Sequence, residues 1–529
     1  MSAPENPPLT SDEFSNAPVP RAESINKLKV GAVGLAGVLF MAVANAAPIT
    51  AMTGNVPIEV GYGNGQYAPA GYLVATIVLT LFTIGFVAMA RYITTAGAFY
   101  GFISHGLGQI MGMASGALAT MAYVVFEGSL IGIFAFFANN ALNQWFSWNV
   151  NWLLLGVIGI VIIAIFGYYD INIAAAVLGF FLICEIILLA ALALSVLFKG
   201  GGPDGIMASS VSPMNAFKSL PAGTYNGTDV AAGAAAIGLF FAFWSWVGYE
   251  TTAVYGEESR EPKKIVPRAT LIAVVGLGLF YTFVSWMVIA GNGADQAIGT
   301  SAGSDPITMF TSLATTNLGG AWVGDVYLFL IVSGSFACAL AFHNAASRYM
   351  YAIGRELPIT KDSLGATHGV HHSPHIASMV QSVITLILTV GFYFLTVGGS
   401  DPLKGGYIYE YGLLAILGTM AILIVQAICS VAVIWYFWIA KTKSGDWFST
   451  LVAPALGFVG MTYVVYLLLT NLTFAGGGAS GSPFFKAIPY IVIVTFLIGL
   501  GGALYLRSSK RAVYDAIGRT VLEESHERA

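Results

Sequence analysis

Apolar segments long enough to cross a bilayer, roughly 17–25 residues each, recur twelve times along this chain, at 30–53, 71–90, 112–139, 152–168, 174–198, 231–255, 269–291, 323–346, 376–397, 409–440, 451–472 and 488–506. That pattern leaves few folds open. Hydrocarbon offers backbone N–H and C=O groups no partner, so only helices and closed barrels span it. The short period-2 segments of a barrel are absent from the sequence. The expected fold class is therefore an all-α integral membrane protein of about twelve transmembrane helices. Only 9% of its residues are charged, against about 25% in soluble domains. Cys184, Cys338 and Cys429 all fall inside apolar segments and provide neither a disulfide framework nor a metal-ligand spacing.

Lys and Arg gather on the cytoplasmic side of short loops, which tests the helix count independently. Of 22 basic residues, only Lys199, Lys218, Lys404 and Lys486 fall in one set of alternate loops; the rest lie in the other set and at both termini. This alternation predicts a multi-pass protein of the plasma (cytoplasmic) membrane with both termini cytoplasmic. Residues 1–28 are polar and hold Pro4, Pro7, Pro8, Pro18 and Pro20, the composition of a disordered arm. Residues 507–529 form a cytoplasmic tail, and 29–506 the membrane domain between them.

The most informative stretch runs over 239–269. Phe243, Trp244, Ser245, Trp246, Val247 and Gly248 crowd aromatics against a serine and a glycine, and Glu250 follows within the same apolar segment. An ionisable residue there costs about 2.5–3.5 kcal/mol on insertion scales. Two readings stand, a kinked packing helix with a snorkelling acid or an opened helix whose acid faces a cavity. The first segment is interrupted too, because Pro48 in Asn45-Ala46-Ala47-Pro48-Ile49 lacks an amide hydrogen and clashes with the carbonyl four residues earlier. Helices 1 and 6, five apart, are thus both expected to break near mid-membrane, a pattern that points to a secondary transporter. Half-helix N-termini suit a carboxylate and half-helix C-termini an ammonium or cation. An amino acid complements both, and Phe243, Trp244 and Trp246 can stack on it or shut over it.

The run Phe243-Trp244-Ser245-Trp246-Val247-Gly248-Tyr249-Glu250, with Glu257-Glu258-Ser259-Arg260-Glu261-Pro262 and Ile265-Val266-Pro267-Arg268-Ala269, resembles the helix 6 to helix 7 signature of the amino acid–polyamine–organocation permeases. The block from Asn344 to Pro358, with His368 and Pro374, is similar to that family's helix 8 to helix 9 loop, and Thr95-Ala96-Gly97-Ala98-Phe99-Tyr100 to the stretch after helix 2. The resemblance implies a five-plus-five inverted repeat (about 29–199 and 229–440), two further helices (about 449–506), and alternating access around helices 1 and 6. It implies substrate contacts at Asn45, Ala46, Ala47, Pro48 and Ile49, and at Phe243, Trp244, Ser245, Trp246 and Gly248. Glu250 matches an acid that the family's arginine/agmatine exchanger uses in proton-sensitive gating.

This chain departs from the family where a glycine-serine-glycine break in helix 1 is replaced by Asn45-Ala46-Ala47-Pro48, with one N–H donor fewer. Glu185 stands near the helix 5 position where several proton-coupled relatives carry a lysine. Three intramembrane acids, Glu127, Glu185 and Glu250, therefore compete for a coupling role. Desolvation favours the neutral form of a buried carboxyl, which makes it a reversible proton carrier. Glu250 and Glu185 are the first choices, and Glu127 is read as structural.

Gly108, Gly112, Gly116, Gly128 and Gly132 at four-residue spacing are expected to let helices 2 and 3 pack closely. Gly61, Gly63 and Gly65 are assigned to an outer loop without a phosphate-cradling context. Asp305-Pro306 and the run after it are either a lid helix or a plain connector. His368, His371, His372 and His375 are read as solvated rather than as a metal site, and His343 as a hydrogen-bonded packing residue. Asn226-Gly227-Thr228 and Asn471-Leu472-Thr473 match a glycosylation acceptor pattern.

The function these features predict is a secondary active transporter of an amino acid or related organic cation, by proton symport, with Na⁺ as the alternative coupling ion. No cofactor, metal or nucleic acid is expected. An exchanger, an inorganic-cation carrier on the same scaffold and a non-transporting nutrient sensor are the alternatives. A membrane enzyme would need a nucleophile–base pair or metal motif that the sequence does not offer.

Overall fold

The computed structural model describes residues 31, 33–168, 171–369, 373–395, 399–471 and 481–518. The arm at 1–30 lies outside them, as do His371, His372, Leu472 and Thr473. Ten helices among the described residues are long and apolar enough to cross a membrane. Helix 4 (Trp152–Tyr168) is shorter, and helix 6 is split. Helix 1 comprises 1a (Leu35–Ala46) and 1b (Pro48–Ile58). The others are helix 2 (Ala68–Ala90), helix 3 (Gln109–Phe146), helix 5 (Ile171–Lys199), helix 7 (Pro262–Asn292), helix 8 (Ala321–Gly354), helix 9 (His375–Leu395), helix 10 (Gly412–Ile434), helix 11 (Ala453–Thr470) and helix 12 (Pro483–Ser509). Helix 6a is Ala235–Trp244, and a 3₁₀ turn, Tyr249–Ala253, continues it beyond the break.

Helix 3 is the central post, packing along helices 8, 10 and 12, while helix 2 runs against helices 7 and 11. The glycines of helix 3 serve neighbours other than helix 2. A methyl on Gly116 would meet the Tyr100 ring, and one on Gly112 would meet Ser104; both partners sit on a short helix, Phe99–Leu107. Gly132 faces Glu410 and the Gly406 carbonyl before helix 10. The glycine contacts expected between helices 2 and 3 are thus made instead to the short helix Phe99–Leu107 and to the segment before helix 10.

Helix ends differ from hydropathy where charge or polarity hid them. Helix 1 continues past residue 53 through a wide π-helical turn, Glu59–Gly63, so Gly61 and Gly63 are helical rather than loop. A Cβ on Gly63 would lie 2.8 Å from the Gly238 Cα of helix 6a; only a glycine pair lets these two helices touch backbone to backbone. Helix 7 begins at Pro262, seven residues before its apolar run, so Lys263, Lys264 and Arg268 sit in its first turns. Helix 8 extends to Gly354 and carries Arg348, assigned from sequence to a loop, as a buried residue. The segment after helix 7 forms two short helices, Ala294–Ser301 and Thr308–Leu318. Asn226 occupies the turn of a hairpin, Gly223–Tyr225 paired with Thr228–Val230.

Candidate functional site

The break in helix 1 follows from Pro48. Helix 1a closes with the Ala47 amide donating to the Val43 carbonyl, Ala47 turns left-handed (φ 39°), and Pro48 restarts the helix at its first position. Proline suits that position because its missing N–H would be unpaired anyway. The carbonyls freed at the end of 1a find partners on other helices: Cys338 Sγ donates to Asn45 O (3.1 Å) and Tyr281 Oη to Ala46 O (2.9 Å). At the start of 1b the Ile49 amide interacts with the carboxyl group of Glu185 on helix 5.

Helix 6 breaks over Ser245–Gly248, where Gly248 takes φ 112°. A Cβ there would lie 2.6 Å from Asn45 Cβ, so glycine lets the two breaks touch. Asn45 Nδ2 donates to Thr251 Oγ1 (2.9 Å) and stitches them together. Glu250 does not snorkel; it is buried. One oxygen accepts from Gly248 N (3.0 Å) and the other from Tyr123 Oη (2.8 Å). Each half-helix N-terminus therefore already faces a carboxyl group of the protein.

Between the breaks lies a cavity bounded by Asn45, Ala46, Ala47, Thr50, Ala51 and Asn55 of helix 1, by Trp244, Ser245 and Val247 of helix 6, and by Leu130, Cys338, Phe342 and Tyr411. About 20 Å³ of it is open to the centre of a water, room for one or so. Trp244 forms one wall, stacked on Phe126 (4.5 Å between centroids), with its Nε1 donating to Tyr411 Oη (2.9 Å). Tyr411 donates in turn to Asn55 Oδ1, and Asn55 Nδ2 to Ser245 Oγ (2.7 Å). Among the described residues, Asn45 Oδ1 and Thr50 Oγ1 are buried polar atoms of the lining without a partner.

Of the residues expected from sequence, Asn45, Ala46, Ala47, Trp244 and Ser245 line this cavity, and Pro48, Ile49, Phe243, Trp246 and Gly248 do not. Trp246 turns away, its Nε1 donating to Val274 O of helix 7 (3.3 Å). Glu127 is paired: its Oε2 lies 3.0 Å from His343 Nδ1, and His343 Nε2 lies 2.7 Å from Ser378 Oγ, all buried. Sequence reasoning passed over Thr50, Asn55, Cys338, Phe342 and Tyr411, and two further buried acids, Glu59 and Glu410. A readable signal existed for two of these, since Asn55 and Glu59 stand one turn apart in a segment that stays largely apolar beyond Pro48.

The two ends of the cavity are closed differently. On the face where basic residues gather, Arg348 grips Glu258 through two nitrogens (2.8 and 2.9 Å), and Arg355 pairs with Glu257, which also accepts from Ala96 N. Val33 exchanges backbone hydrogen bonds with Glu258 and Arg260 (3.0 Å each), tying the start of helix 1 to the end of helix 6. Toward the other face a larger vestibule, about 80 Å³ by the same measure, opens between Ile58, Tyr62, Phe241, Pro306, Tyr407 and Leu413. Ser301, which ends the first of the two short helices, and Pro306 in the turn that joins them are part of its lining.

The pattern that defines the amino acid permease family matches residues 31–497. The serine/threonine exchanger SteT of Bacillus subtilis (strain 168) is 22% identical over 333 residues, 62% of this chain and 69% of that protein. An uncharacterised transporter of Rhizobium meliloti (strain 1021) is 26% identical over 306 residues, 56% of this chain and 60% of the relative. An uncharacterised transporter of Mycobacterium tuberculosis (strain H37Rv) is 26% identical over 250 residues, spanning 43% and 49% of the two chains. Because the family match runs through both broken helices and nearly the whole membrane domain, the chain belongs to the amino acid permeases of the amino acid–polyamine–organocation superfamily, as a multi-pass membrane transporter.

Proposed function

We propose that this chain carries a small neutral amino acid across the plasma membrane by alternating access, in symport with a proton. The carrying observation is the pair of unpartnered polar atoms, Asn45 Oδ1 and Thr50 Oγ1, placed where the two helix breaks meet. Asn45 Oδ1 is an acceptor suited to the ligand's ammonium. Thr50 Oγ1 is a donor suited to its carboxylate, and the Ile49 amide, next to Thr50 but outside the lining, is a second donor that the ligand reaches only as Glu185 yields it. The described lining contains no Asp, Glu, Lys, Arg or His, so a charged side chain would enter without a counter-ion, at a cost of several kcal/mol.

Coupling follows from the cap on helix 1b. While Glu185 is ionised it holds the Ile49 amide, and a ligand carboxylate brought there meets both a taken donor and a like charge. A proton on Glu185 removes the charge and weakens its hold on the amide. Proton and carboxylate therefore favour one another's binding, which is the thermodynamic content of symport. Glu250, with both oxygens held by donors of helices 3 and 6, is assigned a fixed role in shaping its break.

The conformation supports the same cycle. The basic face, taken as cytoplasmic, is shut by two ion pairs and a backbone bridge, and the vestibule leads toward the other side. The test is uptake of serine, threonine, alanine and leucine into proteoliposomes with an imposed pH gradient and no internal amino acid. Uptake of at least one, lost in Trp244→Ala and unchanged when choline replaces Na⁺, is expected. Uptake only into liposomes preloaded with amino acid would make the protein an exchanger instead.

A further inference from the structure

Glu59 is absorbed by neither the cavity nor the gates. It lies in the first residue of the π-helical turn ending helix 1, fully buried, and neither carboxyl oxygen has a partner of regular hydrogen-bond geometry among the described residues. The Tyr72 hydroxyl of helix 2 is the side chain that interacts with it. Tyr72 Oη lies 3.2 Å from Ser245 Oγ, which accepts from Asn55 Nδ2, and Ser245 and Asn55 both line the cavity.

The surroundings decide what such a carboxyl can be. The elements packed on this turn are helix 6a, helix 2, the helix Ala294–Ser301 and the turn Gly65–Tyr67. The titratable groups they and helix 1b present are Tyr62, Tyr67, Tyr72 and Asp295, the last exposed and accepting from Asn226 N. No Lys, Arg or His stands on any of these elements. Lys218 lies over the Tyr67 ring, 5.3 Å from its centroid. An anion here would be unpaired in a dry site, and a carboxyl in that position takes up a proton instead.

We propose, on the symport reading above, that Glu59 is a second proton-binding residue of the transport cycle, joined to substrate through Tyr72, Ser245 and Asn55. Held neutral, it leaves the Tyr72 hydroxyl free to point at Ser245, so Ser245 and Asn55 keep the orientation they present to ligand. Ionised, it draws the Tyr72 proton to itself and breaks that alignment. Glu59 and the cavity are thus linked without direct contact, and the proton leaves when movement of helix 1b against 6a admits water to the turn.

The experiment uses the full-length protein in proteoliposomes. Under a gradient of one pH unit, loss of one coupled proton lowers the limiting accumulation ratio about tenfold, and this is expected for Glu59→Gln with counterflow exchange retained. In weakly buffered detergent, Glu59→Gln should take up one proton fewer per substrate bound than the wild type. Tyr72→Phe leaves the carboxyl in place and should flatten the pH dependence of substrate affinity, so the proposal stays testable if Glu59→Gln does not fold. A wild type that ignores the pH gradient overturns the symport reading itself. A responsive wild type with Glu59→Gln equally responsive, or Tyr72→Phe with an unaltered pH profile, overturns only the role of Glu59. If the Glu59-dependent part follows replacement of Na⁺ and K⁺ by choline rather than pH, the site holds a metal cation and the proton assignment falls.

Discussion

The two helix breaks solve one problem in opposite ways. Both leave amides at the start of a half-helix without intrahelical acceptors, and both set a carboxyl group against them. In helix 6 the acid is local: Glu250 stands two residues from the Gly248 amide it accepts, and Tyr123 holds its second oxygen. In helix 1 the acid comes from another helix, and Glu185 Oε2 has no partner among the described residues. A local, saturated cap moves with its own helix and gains nothing by letting go. A remote cap with a free oxygen sits across an interface and can exchange its partner for a ligand. The first arrangement shapes a site, and the second can operate one.

The sharpest way to break this pairing is Gly248→Ala. The added Cβ falls 2.6 Å from Asn45 Cβ and 3.0 Å from its carbonyl carbon, at φ 112°. Backbone strain of about 1–3 kcal/mol and overpacking of about 1–3 kcal/mol fall on the contact that joins the breaks. Transport should be abolished and the apparent melting temperature of the purified protein lowered. A variant with wild-type uptake would mean that the breaks separate freely, contrary to the shared cavity.

A paired measurement separates the two acids. Glu250→Gln forfeits charge-assisted bonds from buried donors, a loss of about 1–3 kcal/mol, and should lower thermal stability while leaving any residual uptake responsive to the pH gradient. Glu185→Gln keeps an acceptor for the Ile49 amide, so its stability should stay within about 1 kcal/mol of wild type. It should nonetheless lose proton-driven accumulation and retain exchange. Equal behaviour of the two variants in both assays would remove the distinction between local and remote caps.

Legibility in the sequence followed the same physics. Hydropathy exposed the spans because the bilayer demands them, and Pro48 and Gly248 exposed the breaks because each fails a local helical requirement. What depends on one helix facing another was hidden. Helix 3's glycines seemed made for helix 2, yet they meet Tyr100, Ser104 and Glu410. Trp246 belongs to the most legible motif and faces helix 7 rather than the cavity, whereas Tyr411, which faces the cavity, stands in a segment with no signature. Glu59 was lost because hydropathy ends helix 1 at residue 53, whereas the helix runs on through Ile58 into the turn Glu59–Gly63. Arg348 reads as a loop cation until Glu258 is brought beside it.

The smallest expected effect tests helix 1 at its weakest point. Ala47 adopts φ 39° and ψ 76°, a left-handed conformation that costs an L-residue roughly 1–2 kcal/mol. Glycine would relieve that strain, but it also loosens the unfolded chain by about 0.4–1 kcal/mol. The relief exceeds the loosening by roughly 1 kcal/mol, so Ala47→Gly should raise the melting temperature slightly. Its methyl, however, lines the cavity, and removing it makes room for one more carbon on the ligand. At about 0.8 kcal/mol per buried CH₂, preference should shift about fourfold toward a substrate one methylene longer. Competition between such a pair of amino acids, measured in the same liposomes, reads this directly. An unchanged ratio would place the ligand's side chain away from Ala47, against the Trp244 wall.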